Sequence, residues 1–398
     1  MKNLFKLLIF ILPLVVFTGC SGDDHITAIP SSQTSKSYVI SSLYDNNVNG
    51  VAKFIKNDDN STTVELKLTG ISTGSPHPAS INYNTAAEGG LIAVTLNPVN
   101  DNTGFSTTTF TALDNGTPIT YDEFLSFDGY IDVLLSALEP DSILAQGDIG
   151  QNELTGLTKT YNLGEKDVPG MSGIVTFSQR ENGEALAVIQ VTNATNGNMH
   201  PAHIHNNTAV EGGAIALTFN PVDGDTGISA TNVAALDNDV AFLYIDVIDF
   251  DGYINVHESE VNLATIVAQG DIGQNELSGV STSYVLNEVD LSGISGTVTF
   301  YGRNNGEALA VILLQETPVD GIHPAYIYSN DIDTSGSIIF TFNPVDGNTG
   351  VSQTNVSALD DNAVFGYDDV LGVNGHIKVH LNNTLTTIIA QGNIGANN

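Results

Sequence analysis

A His-Pro-Ala tripeptide occurs three times in this chain, at residues 77, 200 and 323, which are 123 residues apart. Three Asn-Pro-Val segments that begin at residues 97, 220 and 343 keep the same spacing. Solenoid repeats are 20–50 residues long, so a period of this length is that of a domain with its own core. The chain is therefore predicted to contain three homologous domains.

The repeat divides the 398 residues into five predicted segments. They are a signal peptide (1–19), an acidic, Ser/Thr-rich tether (20–37) and three repeats (38–156, 157–279 and 280–398).

Within each repeat the residue pattern is that of short β-strands. In the second repeat, residues 173–177 and 185–191 are β-rich, and Glu181-Asn182-Gly183 between them is a strong hairpin-turn signal. Residues 241–249 can form a helical turn, but no long segment has the 3.6-residue period of a helix. This pattern predicts an all-β protein with three tandem Greek-key-like β-sandwich domains.

The N-terminus carries a targeting signal. Lys2 and Lys6 precede an apolar run over 7–17 that is too short to cross a bilayer. Thr18-Gly19-Cys20 resembles a bacterial lipobox, which implies cleavage before Cys20 and acylation of that residue. The alternative is an ordinary secretory signal with an incidental cysteine. The acidic residues after Cys20 resemble the tether of surface-exposed lipoproteins. The predicted location is the outer membrane, at the cell surface, with the periplasmic face as the alternative.

Charge and cysteine content exclude several classes of function. Acidic residues outnumber basic ones by 45 to 11, so the net charge is −34 and nucleic-acid binding is excluded. A single cysteine permits neither an intramolecular disulfide nor a CxxC site. The partners that remain are the membrane, reached through the lipid anchor, and an unidentified extracellular protein or glycan.

Three motifs of the second repeat resemble the CHRD (chordin) domain. They are His203-Ile204-His205, the glycine-led segment 211–215 and Gly252–His257. The closing segment around Gln269 lacks the arginine that is usual in that family. The resemblance extends over the mature chain as three copies and implies an extracellular β-rich module. It implies no catalytic activity, because none is established for the family as a class.

The second repeat also carries candidate metal ligands. His203 and His205 alternate by two residues, so both rings would project from one face of a strand. His257 on another strand, with His200 nearby in sequence, could complete a site for the cofactor Zn²⁺ or Cu²⁺. The first repeat has Ser80, Asn82 and Leu134 at the positions of the first three, and the third has Tyr326, Tyr328 and His380.

The competing interpretation is that the histidines are structural. The histidine before each Pro-Ala is present in all three repeats, as His77, His200 and His323, which favours a structural role for it. His203, His205 and His257 occur together only in the second repeat, so the fold does not require the set. This leaves either a local metal site or sequence drift.

The sequence thus favours a non-enzymatic, lipid-anchored surface protein whose CHRD-like modules serve for interaction or as a spacer, without predicted catalytic residues. The first alternative is a Zn- or Cu-binding protein, or a redox protein similar to superoxide dismutase, centred on the second repeat. The second alternative is a carbohydrate-binding module.

Overall fold

A computed structural model describes residues 33–42, 47–71, 73–195 and 197–398. The predicted signal peptide, Cys20 and most of the tether lie outside the described residues. No helix of the described residues is long and apolar enough to cross a membrane.

Strands dominate each repeat. The first repeat contains β1 (Ser35–Ser41), β2 (Asn49–Lys56), β3 (Thr62–Thr69), β4 (His77–Tyr83), β5 (Ile92–Val99), β6 (Phe105–Phe110), helix α1 (Tyr121–Phe124), β7 (Asp128–Ser136) and β8 (Glu139–Gly150). The second contains β9 (Leu154–Glu165), β10 (Ser172–Arg180), β11 (Ala185–Thr192), β12 (Met199–His200), β13 (Ala202–Asn206), β14 (Ile215–Thr218), β15 (Val222–Asp223), β16 (Ile228–Val233), α2 (Tyr244–Ile248), β17 (Asp251–Ser259) and β18 (Asn262–Gly273). The third contains β19 (Leu277–Glu288), β20 (Gly296–Arg303), β21 (Ala308–Leu314), β22 (Ile322–His323), β23 (Ala325–Ser329), β24 (Ile338–Thr341), β25 (Val345–Asp346), β26 (Val351–Val356), α3 (Tyr367–Gly372), β27 (Asn374–His380) and β28 (Ile388–Gly395).

The three repeats share one sheet topology. The first sheet has the order β5-β4-β7-β8-β1-β2-β3-β6, and the third repeats it as β24-β23-β27-β28-β19-β20-β21-β26. The second sheet contains the same series and continues through β15 and β12, whose counterparts in the third repeat form a separate two-stranded sheet. All three main sheets are antiparallel and curled. The predicted all-β fold is confirmed, while its Greek-key detail stays a prediction.

Each curled sheet encloses its own hydrophobic core. In β13, Ala202 and Ile204 are fully buried in the second core, and the histidines between and after them project from the opposite face. Strand alternation with a period of two produces this division. Burial of one large aliphatic side chain stabilises the fold by about 1.5–3 kcal/mol, so the core residues hold β13 in a fixed register.

The short helix α2 lies within residues 241–249, where the sequence allows a helical turn. Tyr244 and Val247 anchor it to the core. Strands β1, β9 and β19 begin at Ser35, Leu154 and Leu277, each three residues before the predicted start of its repeat.

Candidate metal centre

Three histidines of the second repeat converge on one face of the sheet. His203 and His205 lie on β13, and His257 lies near the end of β17. Each offers one ring nitrogen to a group whose members all lie within 4.8 Å of one another. The ring centroids of His203 and His257 are 5.2 Å apart, and those of His203 and His205 are 5.9 Å apart.

The register between β13 and β17 produces this convergence. His203 is directly opposite Asn255 and His205 is directly opposite Tyr253, so His257 lies diagonally across from His203. The pairing of β17 with β18 shifts between Val256 and His257, where a bulge or irregularity interrupts the ladder. Diagonal neighbours on one face of an antiparallel pair are within reach of long side chains, and bulges often redirect a side chain next to a site.

Backbone hydrogen bonds select the tautomers of two rings. His205 Nδ1 lies 3.0 Å from the carbonyl oxygen of Gly213, and His257 Nδ1 lies 2.7 Å from that of Leu263. A carbonyl can only accept, so Nδ1 carries the proton and Nε2 of each neutral ring keeps its lone pair. Metal-binding histidines commonly donate their second N–H in this way, which orients the ring and raises its basicity.

The cluster contains buried nitrogens without partners. Among the described residues, Nε2 of His205 and Nδ1 of His203 are buried and have no hydrogen-bond partner. An unpaired buried polar atom costs about 1–3 kcal/mol. A bound cation would satisfy His205 Nε2, which is the atom that the tautomer leaves available.

Burial keeps the rings of His203 and His257 deprotonated. Desolvation, followed by the neighbouring His257 and His205, lowers the pKa of His203 to about 4. Desolvation also lowers the pKa of His257, against the opposing effect of its bond to the Leu263 carbonyl. Both rings are therefore neutral at pH 7, as metal ligands must be.

The donor set fits a transition metal. Around a tetrahedral Zn²⁺ with Zn–N bonds of 2.0–2.1 Å, ligand nitrogens are about 3.4 Å apart, so the rings need to approach one another by at most about 1.4 Å. Three neutral imidazoles suit Zn²⁺ or Cu²⁺ better than the hard, oxygen-seeking Ca²⁺ or Mg²⁺. The part of the chain that the structure describes adds no fourth ligand to this group, and a tetrahedral ion held by these three rings would have one position for water or an external ligand.

His200 is not a member of this group, although the sequence suggested it as a fourth ligand. Its Nδ1 is 3.1 Å from the carbonyl oxygen of His257, and its Nε2 accepts a hydrogen bond from the backbone N–H of Thr195. Both nitrogens are used by the backbone, and the side chain is fully buried. His77 and His323 make similar Nδ1 contacts with the carbonyls of Leu135 and Leu381, which lie one residue after the equivalents of His257. These contacts support the structural interpretation of this histidine.

The third repeat arranges the same face differently. The Tyr328 hydroxyl lies 3.0 Å from His380 Nε2, the nitrogen that corresponds to the available one of His257. His376, which the sequence analysis overlooked, stacks on Tyr328 with ring centroids 5.4 Å apart. In the second repeat, Tyr253 occupies the His376 position and stacks on His205 at 4.9 Å. The two repeats therefore exchange histidine and tyrosine across the same strand pair, which alignment at the 123-residue spacing could have revealed.

The first repeat has a polar hydrogen-bonded set at these positions. Ser80 Oγ donates to Asn82 Oδ1 at 3.2 Å, and Asn82 Nδ2 lies 3.3 Å from Asp132 Oδ2. Desolvation raises the pKa of Asp132 to about 6. The histidine cluster is thus a property of the second repeat alone.

The predicted lipidation site, Cys20, lies outside the described residues. Comparison with known proteins found no family model, no curated protein and no solved structure that matches this chain.

Proposed function

We propose that the second repeat binds one divalent transition-metal ion, Zn²⁺ or Cu²⁺, through His203, His205 and His257. The observation that carries this proposal is the placement of one ring nitrogen from each of these three histidines within 4.8 Å of the others, on an antiparallel strand pair. The backbone acceptors at Gly213 and Leu263, which leave Nε2 available on two of the rings, support it. The proposed activity is binding, without a catalytic step.

Metal analysis of the full chain tests the proposal. The protein is loaded with Zn²⁺ or Cu²⁺ separately, dialysed and analysed by mass spectrometry of its metal content. We expect one ion per chain in the native protein and none in the His203→Ala/His205→Ala variant. His380→Ala, at the equivalent of His257 in the third repeat, is the matched control and should keep one ion. Absence of metal from the loaded native chain, or unchanged content in the double variant, would contradict the proposal.

We propose that the three CHRD-like modules present this site as part of a lipid-anchored surface protein used for interaction or as a spacer. Support comes from the lipobox-like Thr18-Gly19-Cys20 and from the repetition of a self-contained core in each module. Protease treatment of intact cells tests the location, since cleavage requires exposure at the cell surface. Protection of the chain until the outer membrane is permeabilised would favour the periplasmic face instead.

A further inference from the structure

A buried ion pair joins the first repeat to the second. Arg180 Nη1 donates to Asp148 Oδ2 at 2.6 Å, and the side chain of Arg180 is completely buried. The same nitrogen donates to the carbonyl oxygen of Asn152, and Arg180 Nε donates to Asn232 Oδ1 at 2.8 Å. One guanidinium of the second repeat therefore contacts a carboxylate and a carbonyl at the end of the first.

The junction between the second and third repeats has the same contacts. Arg303 Nη1 donates to Asp271 Oδ2 at 2.6 Å, and this arginine is also completely buried. It donates to the carbonyl of Asn275, and its Nε donates to Asn355 Oδ1 at 2.9 Å. Each of these residues is 123 positions after its counterpart in the first junction, so the two junctions are built alike.

The upstream end of the first repeat lacks the arginine. Asn57 stands 123 positions before Arg180, and its Nδ2 donates to Ser61 Oγ and Thr63 Oγ1, each at 2.8 Å. Thr109 replaces the asparagine that accepts from the arginine in the other repeats. A hydrogen-bonded set without an arginine thus replaces the charged one, and in it Ser61 Oγ donates to Asp59 Oδ1 at 2.6 Å.

The downstream end of the third repeat lacks the carboxylate. Asn393 Oδ1 accepts a hydrogen bond from the Ile332 N–H at 3.0 Å, just as Asp271 Oδ1 accepts one from the Ala209 N–H at 2.7 Å. This shared bond identifies Asn393 as the structural equivalent of Asp271. This position therefore carries an aspartate where the second repeat meets the third, and a neutral asparagine at the far side of the third repeat.

The outer face of the third repeat otherwise resembles a junction. Val285, Asn287 and Ile332 help to line a groove of about 290 Å³ there, and Val285 is 59% exposed. The equivalent positions of the first repeat line a cavity of about 330 Å³ at the first junction, to which the second repeat contributes Leu186 and Ala230. The groove is therefore the surface on which another repeat would dock.

Charge decides which repeat this surface accepts. Burying a guanidinium without a carboxylate is strongly unfavourable, so an end that carries one member of the pair is mismatched with an end that lacks the other. A contact between Asn57 and Asn393 would bury no charge, and it would lack the charge-assisted hydrogen bonds that join the internal junctions. We infer that the Arg–Asp pair specifies docking between repeats, and that Asn57 and Asn393 withhold this docking from a second copy of the chain. The inference is independent of the proposed metal site.

Two complementary variants of the full chain test the inference by sedimentation velocity. One carries Asn393→Asp, and the other carries Asn57→Arg, Ser61→Glu and Thr109→Asn, which introduce the residues of the internal junctions. The glutamate corresponds to Glu184 and Glu307, which accept from the Nδ2 atoms of Asn232 and Asn355. We expect the native chain and each variant alone to sediment as monomers, and an equimolar mixture to form a dimer with about twice the monomer mass. Monomers only in the mixture, with both variants folded by circular dichroism, would overturn the inference. Head-to-tail self-association of the native chain would also overturn it.

A second experiment addresses an internal junction, in case the triple variant does not fold. The N–H groups of Asn304 and Asn305 donate to the carbonyls of Glu276 and Gln274, so their hydrogen exchange reports opening of this junction. Asp271→Asn should accelerate exchange of both amides at least about 10-fold, because it leaves the buried Arg303 guanidinium without a negative charge to pair with. Asp290→Asn, which neutralises a carboxylate that accepts from the Ile388 N–H within the third repeat, should leave them unchanged. Unchanged exchange in Asp271→Asn would overturn the role of the pair.

Discussion

The imidazole of His205 stacks on the ring of Tyr253 with centroids 4.9 Å apart and an angle of 16° between the planes. In the third repeat the same cross-strand pair is reversed, and Tyr328 stacks on His376 at 22°. The exchange keeps one imidazole and one phenol ring in contact but moves the imidazole to the other strand. This move distinguishes the second repeat, where we propose metal binding, from the third repeat, where the tyrosine hydroxyl lies 3.0 Å from a histidine nitrogen.

The third repeat should therefore acquire a metal site when its two tyrosines on β23 are replaced. In the variant Tyr326→His/Tyr328→His, His380 completes a set of three imidazoles, and we expect the metal content to rise from one ion per chain to two. Ser80→His/Asn82→His is the control in the first repeat, where Leu134 cannot act as the third ligand. A content that stays at one in the first variant, or rises equally in the control, would refute this prediction.

Acidification should weaken both metal binding and the metal-free fold. The folded-state pKa of His203 is about 4 and its unfolded value is about 6.5, so the unfolded chain takes up this proton first as the pH falls. The contribution of His203 to the free energy of unfolding is therefore fully present above pH 6.5, and it is lost as the pH falls towards 4. Urea midpoints at pH 7 and pH 5 measure this decline, which should be smaller in His203→Asn. An equal decline in both proteins would argue against the lowered pKa.

Replacement of His200 should affect stability and leave metal binding intact. His200→Ala removes a buried side chain and unpairs the Thr195 N–H and the His257 carbonyl, so we expect a loss of about 2–3 kcal/mol in the free energy of unfolding. Urea denaturation measures the loss, and metal content should stay at one ion per chain. His205→Ala should give the opposite result, with metal lost and a smaller effect on stability. Loss of metal in a folded His200→Ala protein would return this residue to the ligand set.

Displacement of the carbonyl that orients His205 should weaken metal binding. A Cβ at Gly213 would lie 1.9 Å from the carbonyl oxygen of Asn206, so Gly213→Ala must shift the backbone. We expect the dissociation constant for the metal to rise about 10- to 100-fold, as is typical when such an outer-shell partner is lost. Gly212→Ala is the neighbouring control. Its Cβ meets no atom within 4 Å, and its positive φ costs about 1 kcal/mol of stability while the affinity changes little. Equal affinities in the two variants would contradict this role of Gly213.

Part of the candidate site can be derived from residue order. The two-residue spacing of His203 and His205 places both rings on one face of a strand, and the 123-residue comparison shows that the set with His257 is unique to the second repeat. The approach of His257 depends on the register of β13 against β17 and on the irregular pairing after Val256, which no local pattern specifies. Residue order also places His200 near the site, whereas both nitrogens of its ring are taken up by backbone atoms of Thr195 and His257.

The sequence establishes the all-β class and the threefold period, because strand alternation and internal repetition are properties of the order of residues. Other features are seen only in the tertiary structure. They are the Arg–Asp junctions, the neutral residues Asn57 and Asn393 at the equivalent positions, and the carbonyls of Gly213 and Leu263 that accept from the histidine rings. Those features join residues that are distant in sequence, or use backbone atoms that every residue possesses. The register of the strands and the burial of side chains decide which of these atoms come into contact, and both depend on how the whole domain packs.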